Sequence, residues 1–347
     1  MKKIYAILSL VILMFAGNVS GQDIHFSQVN ETPLFLSPAN TGFFNGYVRV
    51  SLNYRNQWAS MNNAFQTYAL SVDGGLFKSR RRKAFMGMGF TLFTDEAGVA
   101  KIRKTTALFN LSGLLKINRR SSMSVGLAGG AAATNADYSK LTYASQFEGN
   151  NYDPSISSGE KVVFRQFTTT DVALGVAYEY NNEKGDQDHD DLQMFKIAFG
   201  AYHLNRPEQN FAPGSSYRLP VRLAYAFTSH FDIEDTKFSI TPTLVFQTQG
   251  KARELLGGTY IKYRTTTGTK TTGKISQNGI GLGLFYRVND ALIPKLIYEA
   301  GDFAVGLSYD VNLSGYRTAS KYMGGFEVSL RYNNLASSLF ASRKEFK

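Results

Sequence analysis

Residues Tyr47 to Trp58 read YVRVSLNYRNQW. The apolar side chains Val48, Val50, Leu52 and Tyr54 alternate with Arg49, Ser51, Asn53 and Arg55, which is the period of a strand with one greasy and one wet face. A helix would not sort these residues. One such strand proves little, because half-buried strands of soluble sheets alternate in the same way. Recurrence decides the matter. The pattern returns over residues 64–74, 84–94, 102–117, 123–128, 172–180, 195–201, 221–227, 238–246, 255–263, 280–286, 291–300, 303–313 and 323–332.

About fourteen strands of roughly ten residues, an even number, with no helix beyond the first residues, predict an all-β fold: a transmembrane up-and-down antiparallel β-barrel. Closure is the only way to satisfy strand edges in lipid. A soluble barrel or propeller is the competing fold, but many strands carry bulky aromatics on one face and no blade-length repeat is visible. Pro242, in the middle of 238–246, predicts a local irregularity or a weakly paired strand, since proline cannot donate to a ladder. The composition of 26 Phe, 20 Tyr and 32 Gly with only 8 Pro, at a mean hydropathy of -0.21, fits strands with one face to lipid and one to water.

The chain starts MKKIYAILSLVILMFAGNVSG, with two lysines, an apolar run too short to span a bilayer, and small residues before Gln22. This pattern predicts a cleaved secretory signal peptide over 1–21. No cysteine stands at the junction, which argues against a lipoprotein, and none occurs elsewhere to form a disulfide. No later run of about 18 apolar residues exists, which excludes a helical membrane protein. The expected organisation is a signal peptide (1–21), a lead-in segment (22–46), a barrel (47–332) and a C-terminal extension (333–347). The lead-in has prolines, turn formers and no sustained period, and is expected either in the barrel mouth or beneath it.

The formal charge of +11 falls by the two lysines that leave with the signal peptide. In an exported chain with scattered basic residues it predicts no nucleic-acid partner; outer-membrane lipid or an acidic partner supplies the counterions. The densest run, Lys78 to Lys83, reads as a solvated turn or a contact with anionic head groups or a partner. The longest break in alternation, from Asn135 to about Phe167, reads as an outward loop. The acidic link Asn181 to Asp191 lacks the spacing of a calcium loop and reads as a solvated turn.

Nothing in the sequence nominates enzymatic chemistry. His25, His189, His203 and His230 lie far apart in loops or at strand ends, there is no HExxH, and no segment proposes a serine nucleophile. No catalytic residue, metal ligand or cofactor is expected. Arg49, Arg55, Asp73, Lys116, Asp171 and Glu179 fall on wet faces and are expected to face the lumen, where mixed charge either knits the interior together or lines an aqueous pore. His25 and His203 read either as polar contacts pinning the lead-in near the rim or as solvent-facing loop residues. Tyr54, Arg55, Gln57 and Trp58 read as an interfacial girdle with a lumen contact, or as a partner surface.

With the strands placed, several words resemble the PorP/SprF family of type IX secretion-associated membrane proteins. They are QDIHFSQ at 22–28 with His25, Phe26, Ser27 and Gln28; PLFLSPANTG at 33–42 with Pro38; and NYRNQW at 53–58. AYHLNRP at 201–207 with His203, Asn205 and Pro207, SYDVNLSG at 308–315 with Tyr309 and Asp310, and GGFEVSLRY at 324–332 add to them. The residues named in these words are expected as partner or rim contacts. The chain departs from the pattern in running past Tyr332 to Lys347, which leaves open whether Tyr332 or Phe340 ends the barrel. The resemblance implies an outer-membrane barrel of the Bacteroidota that helps to secrete or anchor cargo such as gliding adhesins. Its implied partners are periplasmic subunits of the secretion system or cargo C-terminal domains. Two other readings of the residues are a passive porin or hydrophobic-compound channel, and a receptor or adhesin acting through the loop at 135–167.

Overall fold

The computed structural model describes residues 23–59, 65–78, 83–137, 141–159, 166–182, 193–211, 217–233, 236–265, 278–315 and 317–334. The expected signal peptide, residues 79–82 of the basic run, 183–191 of the acidic link with His189, and the extension with Phe340 lie outside the described residues.

Period-2 sequences become strands whose side chains alternate between lipid and lumen. Fourteen of them form one closed sheet: β1 (Val48–Gln57), β2 (Phe65–Leu76), β3 (Ala84–Ala97), β4 (Ile102–Lys116), β5 (Ser121–Asn135), β6 (Phe167–Asn181), β7 (Gln193–Tyr202), β8 (Arg222–Asp232), β9 (Phe238–Gln249), β10 (Ala252–Arg264), β11 (Gly279–Arg287), β12 (Ala291–Ala300), β13 (Phe303–Asn312) and β14 (Met323–Asn334). Each pairs antiparallel with its sequence neighbours, and β1 pairs with β14 from Val48↔Asn334 to Gln57↔Gly325. Every strand therefore has two partners, which removes the unpaired edges that lipid does not tolerate. The last strand runs to Asn334, whose carbonyl accepts the Tyr47 amide at 2.8 Å. It thus passes the expected stop at Tyr332 because β1 offers it partners there.

The outward face is apolar along the whole series, with Leu127, Leu282, Tyr298 and Phe303 each more than half exposed. That exposure is the hydrocarbon-facing surface of a barrel. The proline in β9 has a smaller effect than the sequence reading anticipates. Pro242 points outward, its ladder to β10 is unbroken, and the β8 ladder skips from Thr228↔Thr243 to Phe231↔Ile240 without changing register. Pro294 in β12 leaves a similar gap toward β13, between Leu292↔Val311 and Lys295↔Ser308. A proline removes one donor, so only the neighbour that would have accepted it loses pairing.

The barrel has two unlike ends. β1 begins and β14 finishes at one, here the closing end, where the Gly301-Asp302 turn joins β12 to β13. The other end carries the long connections 136–166 and 203–221 and is called the loop end. Residues 23–47 thread the lumen from one to the other. Asp23 meets Gln249 and Lys104 at the loop end, and Gly42 meets Asp73 near the closing end.

The lead-in is not wholly irregular. It contains three single turns of helix, Val29–Glu31, Pro33–Leu36 and Pro38–Asn40. Pro33 and Pro38 begin the second and third, where a missing N–H costs nothing, and the Ser37 hydroxyl accepts the Ala39 amide at 3.2 Å. These turns present Val29, Leu36 and Ala39, and the chain just after them Phe43, to inward apolar wall residues, among them Leu114, Val245, Leu256, Phe285 and Ile293. The inner face is therefore not uniformly wet: where the lead-in brings apolar side chains, the wall matches them.

Candidate lumen site

The inward charges of distant strands converge on the lead-in. The carboxylate of Glu327 (β14) accepts the backbone amides of Ser27 at 2.7 Å and Gln28 at 3.1 Å, and also Arg55 Nη1 (β1) at 3.2 Å. Asp310 (β13) accepts the Ser27 hydroxyl at 2.7 Å and Arg55 Nη2 at 2.8 Å, and pairs with Arg287 (β11), whose Nε also reaches Asp290 at 2.5 Å. Ser27, Gln28, Arg55, Arg287, Asp310 and Glu327 are all buried. A register shift between Asp310 and Val311 is the one irregularity of the β13–β14 ladder, and such bulges re-aim side chains. Gln28 completes the node: its amide donates to the carbonyls of Glu327 and Gly306, and its oxygen accepts from Ser329.

Further along the lead-in, Glu31 takes Lys295 Nζ at 3.4 Å and Arg331 Nη1 at 2.7 Å, and Arg331 also bonds Glu299. At the closing end Arg49 grips Asp73 through two bonds of 2.9 Å, and Asp73 accepts the Gly42 amide at 2.8 Å. At the loop end His203 lies between Asp23 and Asp171, and Asp23 also meets Lys104 at 3.2 Å. His25 sits 3.4 Å from Arg55 and 3.6 Å from Glu254.

Wall side chains also read the main chain of the lead-in. The Tyr202 hydroxyl donates to the Leu34 carbonyl at 2.5 Å, Arg222 to Phe35 at 3.1 Å, Arg49 to Asn40 at 3.2 Å, Ser112 to Thr41 at 2.6 Å and Lys196 to Phe43 at 2.5 Å. Such close approach needs gaps in the wall. A Cβ built on Gly126 (β5) would lie 2.4 Å from the Ala39 nitrogen, and one on Gly200 (β7) 2.2 Å from the Leu36 carbonyl oxygen. Both distances are shorter than any side chain tolerates, so glycine at these inward positions makes the channel through which the segment passes.

The expected lumen-facing charges Arg49, Arg55, Asp73, Lys116, Asp171 and Glu179 all lie on the inward parity of their strands, and Glu179 approaches Lys196 at 3.9 Å. Of the family-like residues, the node brings together Ser27, Gln28, Arg55 and Asp310. Phe26 packs edge-on against Phe35 at 5.1 Å, and Pro38 is buried beside β5. Others stay apart: Tyr54 and Tyr309 face outward, Tyr54 lying tilted against Tyr68 with ring centroids 4.9 Å apart, and Trp58 meets Phe65 past the end of β1. Gln57 reaches Arg55 only at 3.5 Å. Asn205, exposed, caps the Thr170 carbonyl, and the Pro207 carbonyl accepts Leu219.

The sequence reading did not single out Glu31, Arg222, Arg287, Lys295, Glu327 and Arg331. Inward parity within β11, β12 and β14 is the signal that would have found four of them; Glu31 lies in the aperiodic lead-in and Arg222 at a strand start. Among the described residues no group of three or more His, Asp or Glu is placed to hold a metal ion.

The Asp23–His203 pair gives the rim a pH response. Burial works against charge on both groups. The neighbouring carboxylates of Asp171 and Asp23 overcome it at His203 and raise its pKa above the usual 6.5, while Lys104 and His203 overcome it at Asp23 and lower its pKa below 3.8. The His203 contribution is complete below 6.5 and fades as pH rises through its raised value. The Asp23 contribution is complete above 3.8 and fades as pH falls through its lowered value. The start of the lead-in is therefore held most firmly between these pH values. Amide-exchange protection of residues 23–26 is expected to fall on raising the pH above that window, and His203→Ala to flatten the alkaline limb. A protection factor unchanged across the range would exclude the pair as an anchor.

The profile of a family described as "Type IX secretion system membrane protein PorP/SprF" matches residues 18–332. No curated protein matches the chain. Among solved structures, the CymD monoaromatic hydrocarbon channel is 11% identical with a TM-score of 0.46, over 91% of this chain and 94% of that one. The toluene transporter TodX of Pseudomonas putida is 7% identical with a TM-score of 0.38, over 91% and 94%. The NanC porin is 8% identical with a TM-score of 0.37, over 83% and 98%.

Proposed function

Because the chain belongs to the PorP/SprF family of type IX secretion system membrane proteins, we propose that it is a non-enzymatic outer-membrane barrel that assists type IX secretion or the surface anchoring of cargo such as gliding adhesins, in a member of the Bacteroidota and after removal of its signal peptide. Its partners are then outer-membrane lipid and either periplasmic subunits of the secretion system or the C-terminal domain of the cargo. One observation carries the preference over a passive porin: residues 23–46 occupy the lumen and are tied to it by the buried carboxylates of Asp73, Asp310 and Glu327. A segment held by paired buried charge is costly to release, and a steadily open pore has no use for one. On this reading the long connections 136–166 and 203–221 face outward from the cell, as the longer loops of such barrels do, and the loop 136–166 is a further candidate contact.

The purified protein in planar bilayers is expected to give no steady open-channel current, and a tagged copy is expected to retain a secretion-ring subunit or a cargo C-terminal domain on affinity purification. A stable pore together with unharmed secretion in a deletion strain would overturn the proposal in favour of a porin or hydrophobic-compound channel.

A further inference from the structure

We infer that the lumen is a binding site for peptide main chain, with residues 23–46 as its resident occupant, and that it accepts another peptide segment of the same backbone shape. The wall recognises what all peptides share. Tyr202, Arg222, Arg49, Ser112 and Lys196 each donate to a lead-in carbonyl, and Glu327 accepts two successive backbone amides. Recognition through backbone groups is tolerant of sequence, with selectivity left to pockets and gaps along the path. Here the gaps are inward glycines that admit a chain carrying small or ring-closed residues, as Ser37, Pro38 and Ala39 do beside Gly126 and Gly175. The main side-chain requirements fall on the Ser27-Gln28 pair, whose polar atoms meet Asp310, Ser329 and the Gly306 carbonyl, and on Glu31, whose carboxylate meets Lys295 and Arg331.

The ligand class is thus a turn-rich peptide with a Ser-Gln-like pair, a carboxylate three residues after it for Lys295 and Arg331, and a small-Pro-small step about ten residues on, the spacing of 27–28, 31 and 37–39. The wall supplies its hydrogen bonds in advance, so exchange of one such segment for another conserves them. The inference rests on the reading of the barrel as a device that handles exported protein, because that is where a second peptide comes from. Its test is independent of secretion.

A tethered occupant competes at an effective concentration of about millimolar, so the test weakens the tether's own contacts and leaves the wall intact. The chain has no cysteine, and Leu34 is 2% exposed; Leu34→Cys combined with Gln28→Ala gives a single thiol that labels only when the lead-in leaves. A synthetic peptide of residues 23–46 at millimolar concentration is expected to raise the maleimide labelling rate roughly tenfold, and a peptide of the same residues in scrambled order to leave it unchanged. Equal rates with both peptides, or no rise with either, would overturn the inference. Should that double variant fail to fold, the unaltered protein is probed with a photoreactive copy of the same peptide. Cross-links on Tyr202 or on β14 near Glu327 support a lumen site, and cross-links confined to outward residues refute it. Labelling that responds to the peptide while neither a secretion-ring subunit nor a cargo domain is retained on purification would uphold the site and remove the secretion reading.

Discussion

Asp310→Ala is expected to destabilise the folded barrel by about 3–5 kcal/mol, the usual cost of breaking a buried ion pair by removing one partner. Its carboxylate is the acceptor shared by Arg55, Arg287 and the Ser27 hydroxyl, all buried. Deleting it leaves two guanidinium groups in the interior with fewer acceptors than donors, and loosens the lead-in at Ser27. The loss lies at the lower end of that range, because Arg55 keeps Glu327 and Arg287 keeps Asp290. Combining Asp310→Ala with Glu327→Ala strips Arg55 of both carboxylates and moves the loss to the upper end, with a double-mutant cycle showing strong coupling. Asp310→Asn, which retains an acceptor for Ser27 without the charge, lies between wild type and the alanine variant. The measurement is the urea midpoint in detergent, followed by loss of the compact band on unheated gels. A midpoint for Asp310→Ala within error of wild type would mean that the node contributes nothing to stability.

The second large effect comes from the wall rather than the charges. Gly126→Leu is expected to drive the lead-in from its seat, because the first carbon of the new side chain would lie 2.4 Å from the backbone of Pro38 and Ala39. Backbone cannot yield as a flexible side-chain tip can. β5 cannot retreat either, since it is laddered to β4 on one side and β6 on the other along nearly its whole length. Relief comes from moving the segment that is tied only by side-chain contacts. The strain exceeds the ~1–3 kcal/mol of ordinary overpacking, so the occupied lumen gives way while the barrel stays closed. The expected results are a new ion conductance and protease cleavage within 23–46, with the strand content unchanged by circular dichroism. Gly129→Leu is the matched control: it lies on the same strand but faces outward, with nothing within 4 Å of its built Cβ, and is expected to behave as wild type. A closed, protease-resistant Gly126→Leu protein would show that the lead-in does not pass this point.

Much of the architecture was legible in the chain because a strand between lipid and lumen has a strict period of two, and fourteen repetitions of one period are hard to mistake. Inward parity placed Arg49, Arg55, Asp73 and Asp171 on the lumen side for the same reason. The partners of those charges were not legible. Arg55 meets Asp310, 255 positions away, and Glu327, 272 positions away and directly opposite it in the β1–β14 ladder, and no local pattern encodes a meeting across the seam that closes the sheet. The inward apolar residues, Leu114, Val245 and Ile293 among them, have their reason only in the lead-in seated against them.

The sequence by itself determined the strands, their number and the side of each that meets lipid, since these follow from local alternation and from the need of every backbone group in a membrane for a partner. The tertiary structure alone decided that residues 23–46 thread the lumen rather than lie beneath it. That outcome depends on glycines in β5 and β7, carboxylates in β13 and β14 and a bulge at Asp310 all facing the same path, an agreement that exists only once the sheet has closed.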